Sequence, residues 1–153
     1  MYLVGHAAVG MAITSALGIT NPVAAFGVGW VSHYFADFFP HGDEAVGEWT
    51  KRGNEVRRLL AVVVFDGALF LSVFTIFTAH RGFSFAMAAA ALGSFVPDVL
   101  WGLEKLFKKK LFGFHERFHF ANHNFFHIRL PFFVGILFQT AITFALWHSL
   151  IRR

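Results

Sequence analysis

The chain reads as an all-α polytopic membrane protein, a transmembrane helical bundle of about five spans forming one domain over 1–153. Three observations carry this reading. Of 153 residues, 56% are hydrophobic and only 14% are charged, against about 25% charged in an ordinary soluble protein. The 22 Phe residues exceed what a small soluble core would bury. Five apolar stretches approach the roughly 20 residues needed to cross about 30 Å of hydrocarbon.

The first stretch is 3–20. It lacks the signal-peptide order of basic region, short apolar core and small-residue cleavage site, so it is read as a retained segment. Asn21-Pro22 breaks it, and Pro suits the first turn of a new helix, which makes 22–39 the second span. Both are short, and a tilted or partly embedded hairpin is an alternative. The third span is 59–79. His80-Arg81-Gly82 is a tight turn, followed by the fourth span, 83–103. The fifth is 130–151. Two polar connections, 41–58 and 104–129, complete the chain.

With five spans the N-terminus and both connections share one side. Ten basic residues lie there: Lys51, Arg52, Arg57, Arg58, Lys105, Lys108, Lys109, Lys110, Arg117 and Arg129. Arg81, Arg152 and Arg153 lie on the other. The positive-inside rule then predicts a cytoplasmic N-terminus and an external C-terminus in a cytoplasmic (inner) membrane. The formal charge of +4 is concentrated at segment ends, where it meets anionic head groups. The expected partner is the bilayer, not nucleic acid. There is no cysteine, which excludes disulfides and thiolate metal sites.

Five ionisable residues interrupt the apolar stretches: His6, His33, Asp37, Asp66 and Asp98. Each costs a few kcal/mol in hydrocarbon, by about 2.5–3.5 kcal/mol on insertion scales for a central Asp. At 1.5 Å rise per residue, His6, Asp37 and Asp98 fall roughly 5–8 Å inside one membrane face, and His33 and Asp66 roughly 10 Å. His33 and Asp37 are four apart and share a helix face. His41 follows after Pro40, where the helix is expected to loosen, and is expected to turn back towards the same point. His and Asp are ligands of hard and borderline divalent ions. The expected metal ligands are therefore His6, His33, Asp37, His41, Asp66 and Asp98. Zinc is the first choice, with manganese or iron fitting the carboxylates nearly as well. One ion or two is left open. The competing reading is that the same side chains hydrogen-bond between helices and hold the bundle together. A proton pathway would spread such residues through the membrane, and haem would not need three aspartates.

The connection 104–129 carries His115, His119, His123 and His127 at a spacing of four. One reading is an amphipathic interfacial helix. The other is a lid over the site, with His119 or His123 as an extra ligand or a catalytic general acid/base. A faint internal repeat also runs through the chain. His6 to Asp37 is 31 positions and Asp66 to Asp98 is 32, and Gly29-Trp30-Val31-Ser32 echoes Leu92-Gly93-Ser94.

The stretch Ser32-His33-Tyr34-Phe35-Ala36-Asp37-Phe38-Phe39-Pro40-His41-Gly42-Asp43 resembles the H-x-x-x-D-x-x-P-H-x-D stretch of small bacterial membrane proteins. These are related to the membrane-bound metal-dependent hydrolase family and, more distantly, to zinc-dependent phospholipase C. Gly5-His6 and Gly93-Ser94-Phe95-Val96-Pro97-Asp98 are similar to that group's Gly-His and Pro-Asp elements. Leu100 and Trp101 stand where its P-D-x-D-H pattern has Asp and His. Phe85 replaces the second His of its H-R-G-x-T-H element. The resemblance implies metal-dependent hydrolysis. Together with the residues, it makes the expected function a membrane-embedded hydrolase with a cytoplasm-facing His/Asp site, acting on a lipid or phosphoester. A non-catalytic metal-binding or metal-transporting protein, or a structural subunit of a membrane assembly, are the alternatives.

Overall fold

The computed structural model describes residues 1–39, 42, 48–50, 52–107, 109–110, 112–123, 125 and 130–152. Six helices organise them: α1 (Leu3–Ala16), α2 (Pro22–Asp37), α3 (Glu55–Arg81), α4 (Phe85–Phe107), α5 (Gly113–His123) and α6 (Phe132–Arg152). Among the described residues there is no strand. The all-helical expectation is met, and three helices, α3, α4 and α6, are long and apolar enough to cross a membrane. α1 and α2 have 14 and 16 residues and rise about 21 and 24 Å. They fall short of a full 30 Å hydrocarbon layer.

Local chemistry sets the boundaries. Asn21 caps α2, accepting from the amides of Val23 at 2.9 Å and Ala24 at 3.1 Å, with Pro22 in the first turn. Gly18, at φ +63°, turns the chain between α1 and α2. α3 begins earlier than the apolar run at 59, because Asn54 accepts from the Arg57 amide at 3.0 Å and so caps a helix that includes its charged first turn. Gly82, at φ +79°, ends α3.

The burial pattern is that of a membrane protein. Large apolar side chains of α3 and α6 point outward, among them Val64, Phe65, Leu71, Phe133, Leu137 and Phe144. The centre is α1, which is apolar on every side, as an enclosed helix must be. Val4, Ala7, Ala8 and Met11 are buried against Phe70, Phe77, Ala90, Ala91 and Trp147.

α2 and α4 approach closely through small residues, the usual device of helix pairs in lipid. A Cβ on Gly29 would lie 2.0 Å from the Ala90 carbonyl oxygen, and one on Gly93 would lie 2.1 Å from that of Phe26. Gly10 of α1 fits the same junction, its virtual Cβ 3.2 Å from both Ala90 O and Gly29 Cα. The two Gly-containing stretches that echo each other in sequence are therefore the ones that meet.

The start of α1 has a different solution. Its N-cap residue, Tyr2, makes no side-chain cap, yet the first amides of a helix need acceptors. Neighbouring helices supply them. Gln139 of α6 accepts from the Tyr2 amide at 3.0 Å, and Asp66 of α3 accepts from Leu3 at 2.6 Å and Val4 at 3.4 Å. Trp147 Nε1 donates to the Val4 carbonyl at 3.1 Å.

Candidate metal centre

The junction of α1, α2 and α4 sets the positions of three of the expected ligand side chains. One turn beyond Gly29, His33 reaches α4, and its Nδ1 lies 2.8 Å from the Ser94 carbonyl. A carbonyl only accepts, so Nδ1 carries a proton; in the neutral ring Nε2 then presents its lone pair, the usual orientation of a ligating histidine. Asp37, one turn further, is buried and lies with its Oδ2 3.0 Å from His33 Nε2. Pro97 inside α4 gives no amide proton to its own helix, and Asp98 follows it. Asp98 turns Oδ1 towards His33 Nε2 at 3.8 Å and Oδ2 towards His6 Nε2 at 3.9 Å.

α5 closes the arrangement from outside. Its Phe118 packs edge-on against Tyr34 at 4.9 Å, and Asn122 donates to the Tyr34 carbonyl. This docking carries His119 and His123 onto Asp37, with Nε2 atoms 3.3 and 2.9 Å from Oδ2. His119 Nε2 is also 3.4 Å from His33 Nε2, 3.1 Å from His123 Nε2 and 3.6 Å from Asp98 Oδ1. The His119 side chain is buried, while those of His123 and Asp98 are 24% and 30% exposed. The cluster therefore opens along the edge formed by these two residues.

On the far side of Asp37, His6 Nε2 lies 3.2 Å from Oδ1, and the amino terminus of Met1 lies 3.2 Å from the same oxygen. The His6 ring stacks on His33 with centroids 3.9 Å apart and planes 18° from parallel. Both ring nitrogens of His6 are buried without a hydrogen bond among the described residues. Among the described residues, two groups of side chains have the spacing to hold a metal ion: His6, His33 and Asp98, and His33, Asp37 and His119, each with donor atoms within 4.8 Å of one another.

Four of the expected ligands, His6, His33, Asp37 and Asp98, thus converge. Asp66 is near α1 but not among the converging donors, since both its oxygens face the Leu3 and Val4 amides. His41 and His127 lie outside the described residues. His119 and His123 meet the cluster as the lid reading of the histidine stripe requires. His115, on the same stripe, stacks on His119 at 5.6 Å. Burial, and then the neighbouring His119, push its pKa below the ordinary imidazole value. Sequence reasoning did not find the Ser94 carbonyl or the role of Gln139. A buried backbone carbonyl leaves no mark in composition, and Gln139 reads only as a polar residue on an apolar helix.

A second feature lies beside the centre. A cavity of ≈ 1230 Å³ runs between α3 and α6, lined chiefly by apolar residues such as Phe65, Leu69, Val73, Ile136 and Phe144. Tyr2, Val4, Asp66 and Gln139 form its polar-edged inner wall.

Compared with protein-family models, curated proteins and solved structures, the chain matches none of them.

Proposed function

We propose that this protein is a membrane-embedded, metal-dependent hydrolase whose centre is His33, Asp37, His119 and His123, with Asp98 at its open edge. One observation carries the metal. In a tetrahedral zinc shell with bonds near 2.05 Å, ligand atoms lie about 3.3 Å apart. Five of the six edges joining His33 Nε2, His119 Nε2, His123 Nε2 and Asp37 Oδ2 measure 2.9–3.4 Å. A hydrogen-bonded cluster accounts for this less well. One proton bridges one pair of lone pairs, whereas His119 Nε2 faces two imidazoles and two carboxylates at once.

Zinc fits three imidazoles and one carboxylate best. Four protein donors would fill its tetrahedral shell, so a substrate oxygen or a water would enter as a fifth ligand, and the zinc would polarise that oxygen or lower the pKa of that water. The chain's own residues would do the rest. Ser94 fixes the tautomer of His33. α5 covers the centre and excludes bulk water. Asp98, partly exposed and 3.6 Å from His119 Nε2, is placed to accept a proton from an attacking water. Among the described residues no serine hydroxyl reaches the cluster, and the chain has no cysteine. The cavity between α3 and α6 supports a substrate with an acyl chain, because its apolar wall ends at Tyr2 and Val4, on the helix that carries His6. In this reading α1 and α2 form a short membrane-embedded hairpin, and the polar connections face the cytoplasm.

The test uses purified protein in detergent. Zinc content and the hydrolysis of a phospholipid and of p-nitrophenyl phosphate are measured before and after chelation, for wild type and His123→Ala. The proposal expects phospholipid hydrolysis that chelation abolishes, zinc restores and His123→Ala lowers at least 100-fold. Zinc bound in stoichiometric amount with neither substrate cleaved would instead favour a non-catalytic metal-binding protein.

A further inference from the structure

We infer that a second divalent cation binds on the opposite side of Asp37, held by His6 Nε2, Asp37 Oδ1 and Asp98 Oδ2. This rests on the proposed centre and extends it to a carboxylate-bridged pair. The two carboxylates are turned for this. Asp37 offers Oδ2 to His33, His119 and His123 and Oδ1 to His6. Asp98 offers Oδ1 to His33 and His119 and Oδ2 to His6. Asp37 thus gives one oxygen to either side, as the bridging ligand of a two-ion site does, while Asp98 lends Oδ2 to the second ion and keeps Oδ1 as the proton acceptor.

The spacing agrees independently. An ion bound to an imidazole nitrogen lies close to the ring plane. The His6 and His33 rings are stacked with centroids 3.9 Å apart and planes 18° from parallel, and their Nε2 atoms face opposite oxygens of Asp37 at 3.2 and 3.0 Å, so two ions, one in each ring plane, would be separated by about the ring spacing. Two-metal hydrolytic sites hold their ions about 3.5–4 Å apart. His6 itself needs an explanation that the first centre does not give. It lies on α1 and is fully buried, its ring nitrogens meet hydrogen-bond geometry with no partner among the described residues, and the carboxylate oxygen facing Nε2 is Asp37 Oδ1 at 3.2 Å. Such a group costs stability unless something bonds it. With only three protein donors the second position keeps open coordination sites, as catalytic ions do and structural ones do not.

The experiment counts ions and measures their coupling. Full-length protein in detergent is stripped with chelator, loaded with Mn(II), desalted and analysed for metal per chain and by electron paramagnetic resonance. The same is done for His6→Phe, which keeps a stacked ring without a donor, and for His6→Asn should the first variant not fold. Two ions per chain with a spin-coupled signal in wild type, falling to one ion with an uncoupled signal in the His6 variant, is the expected result. One ion in both proteins would overturn the second site and leave the first standing. Two ions in both, or loss of both ions from a folded His6 variant, would overturn the assignment to His6. No ion in wild type would overturn the proposed centre as well.

Discussion

Gly29→Ala should break metal binding without touching a ligand. The added methyl would sit 2.0 Å from the Ala90 oxygen, 2.8 Å from its carbonyl carbon and 3.0 Å from the Ser94 nitrogen. Ordinary contacts begin near 3.4 Å, so α2 and α4 must separate by about 3.4 − 2.0 = 1.4 Å. All three neighbours are backbone, and no rotamer change relieves them. His33 and Asp37 lie one and two turns from Gly29 on α2, whereas Ser94 and Asp98 belong to α4. The displacement therefore acts across the His33–Ser94 hydrogen bond of 2.8 Å and the facing carboxylates. Metal sites tolerate about 0.2 Å in ligand distance, and loss of an orienting partner alone costs about 10–100-fold in affinity. We expect zinc affinity to fall at least 100-fold, with stability reduced by about 1–3 kcal/mol from overpacking. Gly27→Ala is the control. Its added methyl meets nothing within 4 Å, and alanine is the better helix former by up to about 1 kcal/mol, so binding should stay at wild-type strength. Calorimetric zinc titration in detergent, with thermal unfolding of each variant, reads both effects. Gly29→Ala binding within threefold of wild type at an unchanged unfolding midpoint would refute the close-packing argument.

Three further outcomes follow from the same geometry. Asp66→Asn should lower stability by about 1–3 kcal/mol, because the buried Leu3 and Val4 amides lose a charged acceptor, while zinc content stays at the wild-type level; loss of the ion on folded protein would make Asp66 a ligand. Lowering pH should release zinc, because protons compete for three imidazoles and a carboxylate. The apparent affinity should fall steadily as the pH is lowered, and a flat titration from pH 7.5 to 5 would contradict imidazole ligation. Reporter fusions at Lys110 and at Gly82 should report opposite sides of the membrane, with Lys110 cytoplasmic; the same side for both would overturn the orientation.

Much of the architecture was legible because apolar length is a strong signal. The fourth and fifth apolar runs correspond closely to α4 and α6, and Asn21-Pro22 marked the start of α2 by a capping chemistry that the structure repeats. What the sequence overstated was the reach of the first two segments. Residues at 17–20 read as apolar continuation, but Gly18 takes a left-handed conformation and ends the helix there. In the site, burial of ionisable residues in apolar runs was enough to single out His6, His33, Asp37 and Asp98. The same signal also selected Asp66, since burial alone does not tell a carboxylate that faces histidines from one that faces helix amides. The repeat shows the same limit. Asp37 and Asp98 take matching places beside one another, while His6 and Asp66, their counterparts in the repeat, do different work. His119 and His123 were ambiguous because a spacing of four describes a helix face and does not say what that face covers. Only the docking of Phe118 on Tyr34 turns the stripe inward.

The central claim is a metal ion held by two membrane-embedded side chains and two from the covering helix. Diffraction from crystals of zinc-loaded protein, collected at the zinc absorption edge, tests it most directly. The account predicts an anomalous peak about 2.0–2.2 Å from His33 Nε2, His119 Nε2, His123 Nε2 and one oxygen of Asp37. Crystals with these four side chains ordered as described and no anomalous peak among them would contradict it.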